Sequence, residues 1–341
     1  MIEPIKHAIS LLKDKKNLNE DLATRIFQIM MNGGATPAQM AALLMGIVIK
    51  GETADEITAG AIAMRAKAKK FSSIAGAIDT CGTGGDNRGT YNISTATAFV
   101  LAACDIPTIK HGNRSVTSKS GSADVLSMLG VKIDAQTEVM EECLKQCNMA
   151  FLFAPKYHTA TRHVAPVRQE LGIRTIFNIL GPLTNPACPD FQLVGVYNKE
   201  LAKLMTESLK SLGTKAAWVV CGSDGLDELT ISGTSHVVSL SNGEIEEFEV
   251  SPADAGLNVS PPDSIKGGSP EQNANALVEA ISGLESPHRD SIVYNAAAGL
   301  VISGKAVSLK EAALIAAEAI DSGKAHSVLK KLVDISNTPM K

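Results

Sequence analysis

Residues 77–114 read AIDTCGTGGDNRGTYNISTATAFVLAACDIPTIKHGNR. A short apolar run, Ala77–Thr80, predicts a strand. A glycine-rich turn, Cys81–Asp86, follows it, then a helical stretch over about 95–104 and a second strand at Pro107–Lys110. The alternation continues outward, with strands expected at Met149–Phe153, Gln192–Tyr197, Ala216–Cys221, His236–Leu240 and Ile245–Val250. Helices are expected near 122–129, 138–147, 159–171 and 200–212. Strands that alternate with helices imply an α/β domain around a central, largely parallel sheet. Segment 251–272, rich in Pro, Gly and Ser, reads as a long loop, and helices fill the chain from there to about Ile335.

Upstream, the first seventy residues read as helices only. Ile5, Ala8, Ile9 and Leu12 recur at helical spacing behind Pro4, and Leu22, Ile26, Ile29 and Met30 form a second stripe that Gly33-Gly34 stops. Thr36 to Gln39, with Pro37 in the first turn, and Thr53 to Glu56 have the form of capping boxes. The helix behind the first ends at Gly51, and the one behind the second runs to about Lys70. Met40–Ile49 (MAALLMGIVI) is apolar nearly all round, which predicts burial on several sides, with part of the surface facing another subunit. Arg65, Lys67, Lys69 and Lys70 read as a solvated end that complements the helix dipole. The expected architecture is a small all-helical domain plus a large α/β domain.

The chain has 341 residues, enough for about two domains. With 45% hydrophobic and 20% charged residues it has the composition of a globular protein with a large core. A net charge of -4 argues against a surface built to coat nucleic acid, so any anion must be met by a local cluster. Six scattered cysteines make no disulfide framework and read as buried reduced thiols. Cys143 and Cys147 would share a helix face with no further ligand to complete a metal set. The N-terminus lacks the apolar core of a signal peptide. The longest apolar run is ten residues, against about 20 needed to span a bilayer. The expectation is a soluble cytoplasmic protein that binds neither membrane nor nucleic acid.

Ligands of parallel sheets bind beyond the carboxyl ends of the strands, and four unusual stretches fall there. The first is Asp79–Asp86, continuing to Tyr91-Asn92-Ile93-Ser94-Thr95: a strand end, a glycine turn and a helix start, which together offer backbone N–H groups and a helix dipole to an anion. It is neither a dinucleotide fingerprint nor a P-loop, because Asn87 replaces the third glycine and no G-K-[ST] follows. Taken alone it is equally a tight turn with Ser94 as N-cap. The second, Lys110–Asp124, gathers Lys110, His111, Arg114, Lys119 and several hydroxyls, a set suited to a polyanion, although Ser122 alone could be an N-cap. The third is Asp227-Glu228 after the turn Gly222–Gly225. In isolation it is a surface dipeptide. Beside phosphate loops it suits magnesium, and its diverging side chains suit two ions, or one ion and a bridge, better than a single grip. The fourth places His158, Arg162, His163, Arg168 and Arg174 before Phe177–Pro186, where an arginine next to apolar groups fits an aromatic carboxylate; each histidine alone reads as structural.

Seven motifs in order — CGTGGD (81–86), NIST (92–95), KHGNR (110–114), GSAD (121–124), VRQELGIRTIFN (167–178), GPLTNPA (181–187) and GLDELT (225–230) — resemble the anthranilate phosphoribosyltransferase family over essentially the whole chain. The resemblance implies a small helical domain over 1–71, joined by 165–186, and a large domain over 72–164 and 187–341, on a fold shared with pyrimidine nucleoside phosphorylases. It implies transfer of the phosphoribosyl group of phosphoribosyl pyrophosphate to the amine of anthranilate, in a homodimer built through the small domain. Matched motif by motif, Gly82, Gly85, Asp86, Thr90, Asn92, Ile93, Ser94 and Thr95 would hold the donor. Lys110, His111, Gly112, Asn113, Arg114, Ser115, Val116, Thr117, Ser118 and Ser122 would form the other side of its site. Gly82, Asn113 and Arg168 would hold anthranilate, and Ser94, Asp227 and Glu228 would bind two magnesium ions.

The implied reaction is displacement at the ribose anomeric carbon. An arylamine is nearly unprotonated at neutral pH, so no essential proton acceptor is expected, and Lys110, His111 and Arg168 are expected to act by positioning and charge. The rival readings are a pyrimidine nucleoside phosphorylase, which would use inorganic phosphate without a metal pair, and a non-catalytic nucleic-acid-binding paralogue. The Asp227-Glu228 pair opposes the first, and the intact glycine loop and acidic balance oppose the second.

Overall fold

The structure, a computed structural model, describes residues 2–86, 88–115 and 120–338. Four helices come first: α1 (Ile2–Lys13), α2 (Glu20–Met31), α3 (Pro37–Lys50) and α4 (Ala54–Lys67). Both capping boxes form, Thr36 with Gln39 and Thr53 with Glu56. Helix α1 starts two residues before Pro4, which the first turn tolerates because N–H groups there have no intrahelical partner.

The α/β part follows in the order β1 (Ile78–Gly82), α5 (Ile93–Ala103), β2 (Thr108–Gly112), α6 (Ser122–Met128), α7 (Thr137–Cys147), β3 (Met149–Phe153), α8 (Ala154–Tyr157), α9 (Ala165–Leu171), β4 (Phe191–Gly195), α10 (Lys199–Ser211), β5 (Ala216–Gly222), β6 (Ser235–Ser241) and β7 (Glu244–Val250). Helices α11 (Pro270–Ile281), α12 (Pro287–Ile302), α13 (Leu309–Asp321) and α14 (Lys324–Ser336) complete it. The sheet order is β3-β2-β1-β4-β5-β6-β7; the first five strands are parallel, and β6 and β7 add antiparallel at one edge. The chain steps outward from β1 to β3 and then returns to β4. The order therefore reverses between β1 and β4, and such a reversal opens a crevice beyond the strand ends. Gly82 and Gly195 pair at the mouth of that crevice.

The apolar interior falls into two clusters. One joins a face of the sheet to α5, α7 and α11–α14. The other joins α1–α4 to Val164, Val167, Ile176, Phe177, Leu180 and Leu183, and continues onto the opposite sheet face beneath α10. The segment around 164–183 thus packs with the N-terminal helices although it lies mid-chain.

Several expectations need correction. The stretch 159–171 is not one helix: a 3-10 turn, Thr159–His163, precedes α9, because Pro166 supplies no N–H and starts a new helix. The loop 251–272 contains 3-10 turns at Pro252–Ala255 and Pro262–Ile265. Helix α3 buries one face only, through Met40, Leu43, Leu44 and Ile47, while Ile49 is 62% exposed. Arg65 is not solvated: its Nε donates to the Leu183 carbonyl (2.7 Å), tying α4 to the mid-chain segment, and burial pulls its pKa down. Lys67, Lys69 and Lys70 are exposed, as read. All six cysteines are free thiols, but Cys188 is exposed and Cys104 only half-buried. Among the described residues, no helix is long and apolar enough to cross a membrane.

Candidate active site

The loops after β1, β2 and β5 meet at the crevice around a cavity of about 420 Å³. The β1 loop turns through Gly84 and Gly85, both with positive φ, which glycine adopts without a Cβ penalty. Its partner is the carboxylate of Asp227, whose Oδ2 accepts from the Gly84 N–H at 2.7 Å. Neighbouring Glu228 points elsewhere, its Oε1 accepting from the Ser94 N–H in the first turn of α5 (3.1 Å). The two carboxylates therefore diverge and tie the β5 loop to both ends of the β1–α5 connection.

Lys110, only 2% exposed, reaches from β2 beneath this loop. Its Nζ donates to the Thr80 carbonyl and to Ser94 Oγ, the latter at 3.2 Å. Burial raises the pKa of Glu228 to about 7 against the pull of Lys110. Burial, then the charges of Asp86 and Glu228, push Asp227 well above the usual carboxylate range. Asp86 Oδ2 is buried without a hydrogen-bond partner. Lys110 offsets only part of this crowded, desolvated acidic charge, and a further cation would offset more of it.

On the β2 loop, Asp124 organises the turn: it accepts from Arg114 Nη1 (2.8 Å) and from the N–H groups of Ser115 (3.0 Å) and Gly121 (2.9 Å). Deeper in, Asp79 of β1 accepts from the His111 N–H (3.2 Å) and from Asn185 Nδ2 (2.8 Å), and the same Asn185 amide donates to the Ile109 carbonyl. The motif GPLTNPA thereby locks its turn against β1 and β2. Burial lifts the Asp79 pKa to about 6. On the far wall, the Arg168 guanidinium lies 5.4 Å from the Phe177 ring centre, and among the described residues it has no ion-pair partner.

The His111 ring packs edge-on against His158 at 5.0 Å. Burial, and then His158, hold the His111 pKa down at about 3, and burial holds His158 at about 4. Both rings are therefore neutral at physiological pH, and His111 Nδ1 lies 3.3 Å from the Gly181 carbonyl, a geometry suited to the Nδ1–H tautomer. As pH falls below about 6.5, these two histidines would take up protons in the unfolded chain that they refuse in the folded one, so the pair's contribution costs stability toward pH 4. Asp79, Asp227 and Glu228, whose pKa values are raised, gain over the same range, so the imidazole contribution is read as the difference between a variant and the parent. We expect Tm to fall less between pH 6.5 and 4.5 in His158→Phe than in the parent protein, a range of roughly two pH units below the free imidazole value. Parallel melting curves across that range would refute this assignment if their slopes coincided.

Residues 75–326 match the model of the glycosyl transferase family, a/b domain, and residues 6–68 that of the glycosyl transferase family, helical bundle domain. The chain is 49% identical to the anthranilate phosphoribosyltransferase of Rhodospirillum rubrum over 98% of its own length and 96% of that protein. It is also 49% identical to that of Rhodopseudomonas palustris, over 97% and 98%. The crystal structure of the Thermus thermophilus enzyme superposes with a TM-score of 0.92 at 39% identity, covering 97% of this chain and 99% of that one. The enzyme of Saccharomyces cerevisiae in complex with PRPP and Mg gives a TM-score of 0.88 at 25% identity, with 97% of each chain covered. The chain belongs to the anthranilate phosphoribosyltransferase family.

For a member of the anthranilate phosphoribosyltransferase family, the residues singled out from sequence converge well. Gly82, Gly85, Asp86, Thr90, Asn92, Ile93, Ser94, Thr95, Lys110, His111, Gly112, Asn113, Arg114, Ser115, Ser122, Arg168, Asp227 and Glu228 all line the one cavity. Val116, Thr117, Ser118 and Lys119 lie outside the described residues. Neither hydroxyl weighed as a helix cap is one: the N-cap of α5 is Asn92 and that of α6 is Gly121. Arg162 is exposed, and the His163 ring packs against Gly33, so neither reaches the site. Arg174 stands out in the sequence without being assigned to the pocket there, and Tyr197 goes unnoticed as a site residue. The Arg174 guanidinium stacks on Tyr197 (4.6 Å) and donates to the Gly85 carbonyl, and both residues line the cavity. The arginine was legible as a cation near an apolar turn; Tyr197, a lone aromatic at a strand end, carried no comparable signal.

Proposed function

We propose that this chain transfers the phosphoribosyl group of phosphoribosyl pyrophosphate to the amine of anthranilate, releasing pyrophosphate, as a step of tryptophan biosynthesis. The observation that carries this reading is the divergence of Asp227 and Glu228. One carboxylate reaches the glycine loop and the other the start of α5, which ties the β5 loop to both ends of the β1–α5 connection, and Lys110 of β2 joins the same group through the Thr80 carbonyl and Ser94 Oγ.

In this reading the donor lies along Gly82–Asp86, Thr90–Thr95 and the 110–122 loop, where backbone N–H groups, Lys110 and Arg114 face its phosphates. Anthranilate lies against Gly82, Asn113 and Arg168, with the guanidinium on its carboxylate and Phe177 beside its ring. Magnesium fits the acids present. Asp86 has a buried, unpartnered oxygen, and the raised pKa values of Asp227 and Glu228 mark carboxylates in need of a positive charge. Among the described residues no three acidic, histidine or cysteine side chains form a complete cage, which accords with an ion that takes a few carboxylates and completes its shell with phosphate and water. We assign Ser94, Asp227 and Glu228 to two such ions. When bound they would neutralise the charge that builds on the departing pyrophosphate. Lys110 adds a fixed positive charge beneath the same loop. Neutral His111 and Arg168 orient the acceptor, whose amine lone pair is already free at neutral pH, so no essential proton acceptor is assigned.

The small domain is taken as 1–71 with 165–186, and the large domain as 72–164 and 187–341. A homodimer through the small domain would cover the open apolar face of α3 around Ile49. We place the protein in the cytoplasm, without a nucleic-acid partner.

Loss of anthranilate fluorescence on mixing protein, anthranilate, phosphoribosyl pyrophosphate and magnesium tests the activity; no loss at micromolar enzyme rejects it. Arg168→Ala should raise the KM for anthranilate by about tenfold or more, as expected for removing a charged hydrogen bond, with donor affinity unchanged. An unchanged anthranilate KM would remove Arg168 from the acceptor site.

A further inference from the structure

The end of the loop read at 251–272 packs against the 89–91 loop, which lines the pocket. The Gly267 N–H donates to the Gly89 carbonyl (2.8 Å), the Tyr91 N–H donates to the Ile265 carbonyl (3.3 Å), and Thr90 bridges to Lys266. A Cβ on Gly267 would run into the Thr90 carbonyl, so the two backbones need this glycine to lie so close.

Behind this contact sits Asn273, in the first turn of α11, 2% exposed and outside the lining of the cavity. Its Oδ1 accepts from the Gly268 N–H (2.7 Å) and its Nδ2 donates to Asn92 Oδ1 (3.0 Å). Asn92 Nδ2 in turn donates to the Ser120 carbonyl (3.2 Å). A backbone donor closes one end of this chain and a backbone acceptor the other, so both amides have a single orientation that satisfies every group. The chain links the 268 turn, the β1–α5 loop and the β2 loop, the latter two being walls of the pocket.

We propose that Asn273 is a positioning residue for the transfer reaction. It fixes the Asn92 amide, and through Ser120 it holds the two donor loops in register, without touching either substrate. This rests on the function proposed above. The replacement Asn273→Asp keeps shape and volume but sets an acceptor against Asn92 Oδ1, so the Asn92 amide must turn and present oxygen to the Ser120 carbonyl.

The test is steady-state kinetics with both substrates, together with thermal melting, on the parent protein, Asn273→Asp, Asn273→Ala, Asn92→Ala and Asn92→Ala/Asn273→Ala. A buried polar group left without its partner predicts a rise of about tenfold in the donor KM for Asn273→Asp and about fivefold for Asn273→Ala, with the anthranilate KM within about twofold. Because Asn273 acts through Asn92, adding Asn273→Ala to Asn92→Ala should change the donor KM by less than about twofold. The proposal is overturned if the two changes multiply independently, or if both KM values rise together. Should Asn273→Ala fail to fold, the isosteric Asn273→Asp still decides through its donor-to-acceptor KM split. A parent protein that does not turn over anthranilate defeats the functional reading itself, whereas an active parent with independent effects defeats only the role of Asn273.

Discussion

Replacing the carboxylates in the double variant Asp227→Asn/Glu228→Gln should lower turnover by about a thousandfold, the order expected when the charge that stabilises a leaving group is removed. The same variant should melt no lower than the parent at neutral pH without magnesium. The amide replacements keep an oxygen for the N–H groups of Gly84 and Ser94, so those hydrogen bonds survive. What disappears is the cost of keeping two buried, mutually repelling carboxylates. Both have pKa values raised in the fold, and an acid raised in this way binds protons more tightly folded than unfolded. Its penalty is absent below the unfolded value near 4, accrues as pH rises, and for Glu228 is complete above about 7. Steady-state rates and melting curves at about pH 8, above the raised Glu228 value, check both halves. Turnover within about tenfold of the parent would remove the pair from the reaction, and a clearly lowered Tm would show that the carboxylates stabilise the fold.

Gly195→Ala should be nearly as damaging although Gly195 carries no chemistry. An added Cβ at the end of β4 would overlap the backbone carbonyl of Asp227. A flexible side chain could step aside, but this obstacle is main chain, and it belongs to the residue that holds the glycine loop. Relief requires the segment around 226–228 to move by roughly an ångström, a displacement that can cost about a hundredfold in rate. Overpacking should also lower stability by about 1–3 kcal/mol. Rates and urea unfolding of the variant test this. Near-parent activity would mean that the carboxylates need not sit where the structure places them.

The sequence revealed the parts of this molecule whose causes are local. Seven strands could be placed because β-branched and apolar runs alternate with helical stretches, and two capping boxes marked the starts of α3 and α4. The pocket was legible because its loops concentrate glycine, hydroxyl and charge beyond strand ends, where a net-acidic protein has little other use for them. What escaped were relations between distant segments. Arg65 looked solvated because its partner, the Leu183 carbonyl, lies more than a hundred residues away. The break before α9 turned on one proline. Helix α3 reads as buried on several sides, with part of its surface left for another subunit, but composition does not distinguish a face packed within the chain from one left open. Asn273 stands in an ordinary context and Asn185 in a motif that does not name its partners; only the fold shows the Asn185 amide joining Asp79 to the Ile109 carbonyl and the Asn273 amide joining the Gly268 N–H to Asn92. Nothing in the local pattern marks Tyr197 as the platform for Arg174.

The central claim is that the loops after β1, β2 and β5 build one site for an activated sugar phosphate and its divalent ions. A crystal structure of the protein with phosphoribosyl pyrophosphate and manganese, phased on the manganese anomalous signal, tests it most directly. We expect anomalous peaks beside Asp227 and Glu228, with the donor's pyrophosphate between the 82–86 loop and Lys110. Donor density bound away from these loops, or manganese absent from both carboxylates while the donor is present, would contradict it.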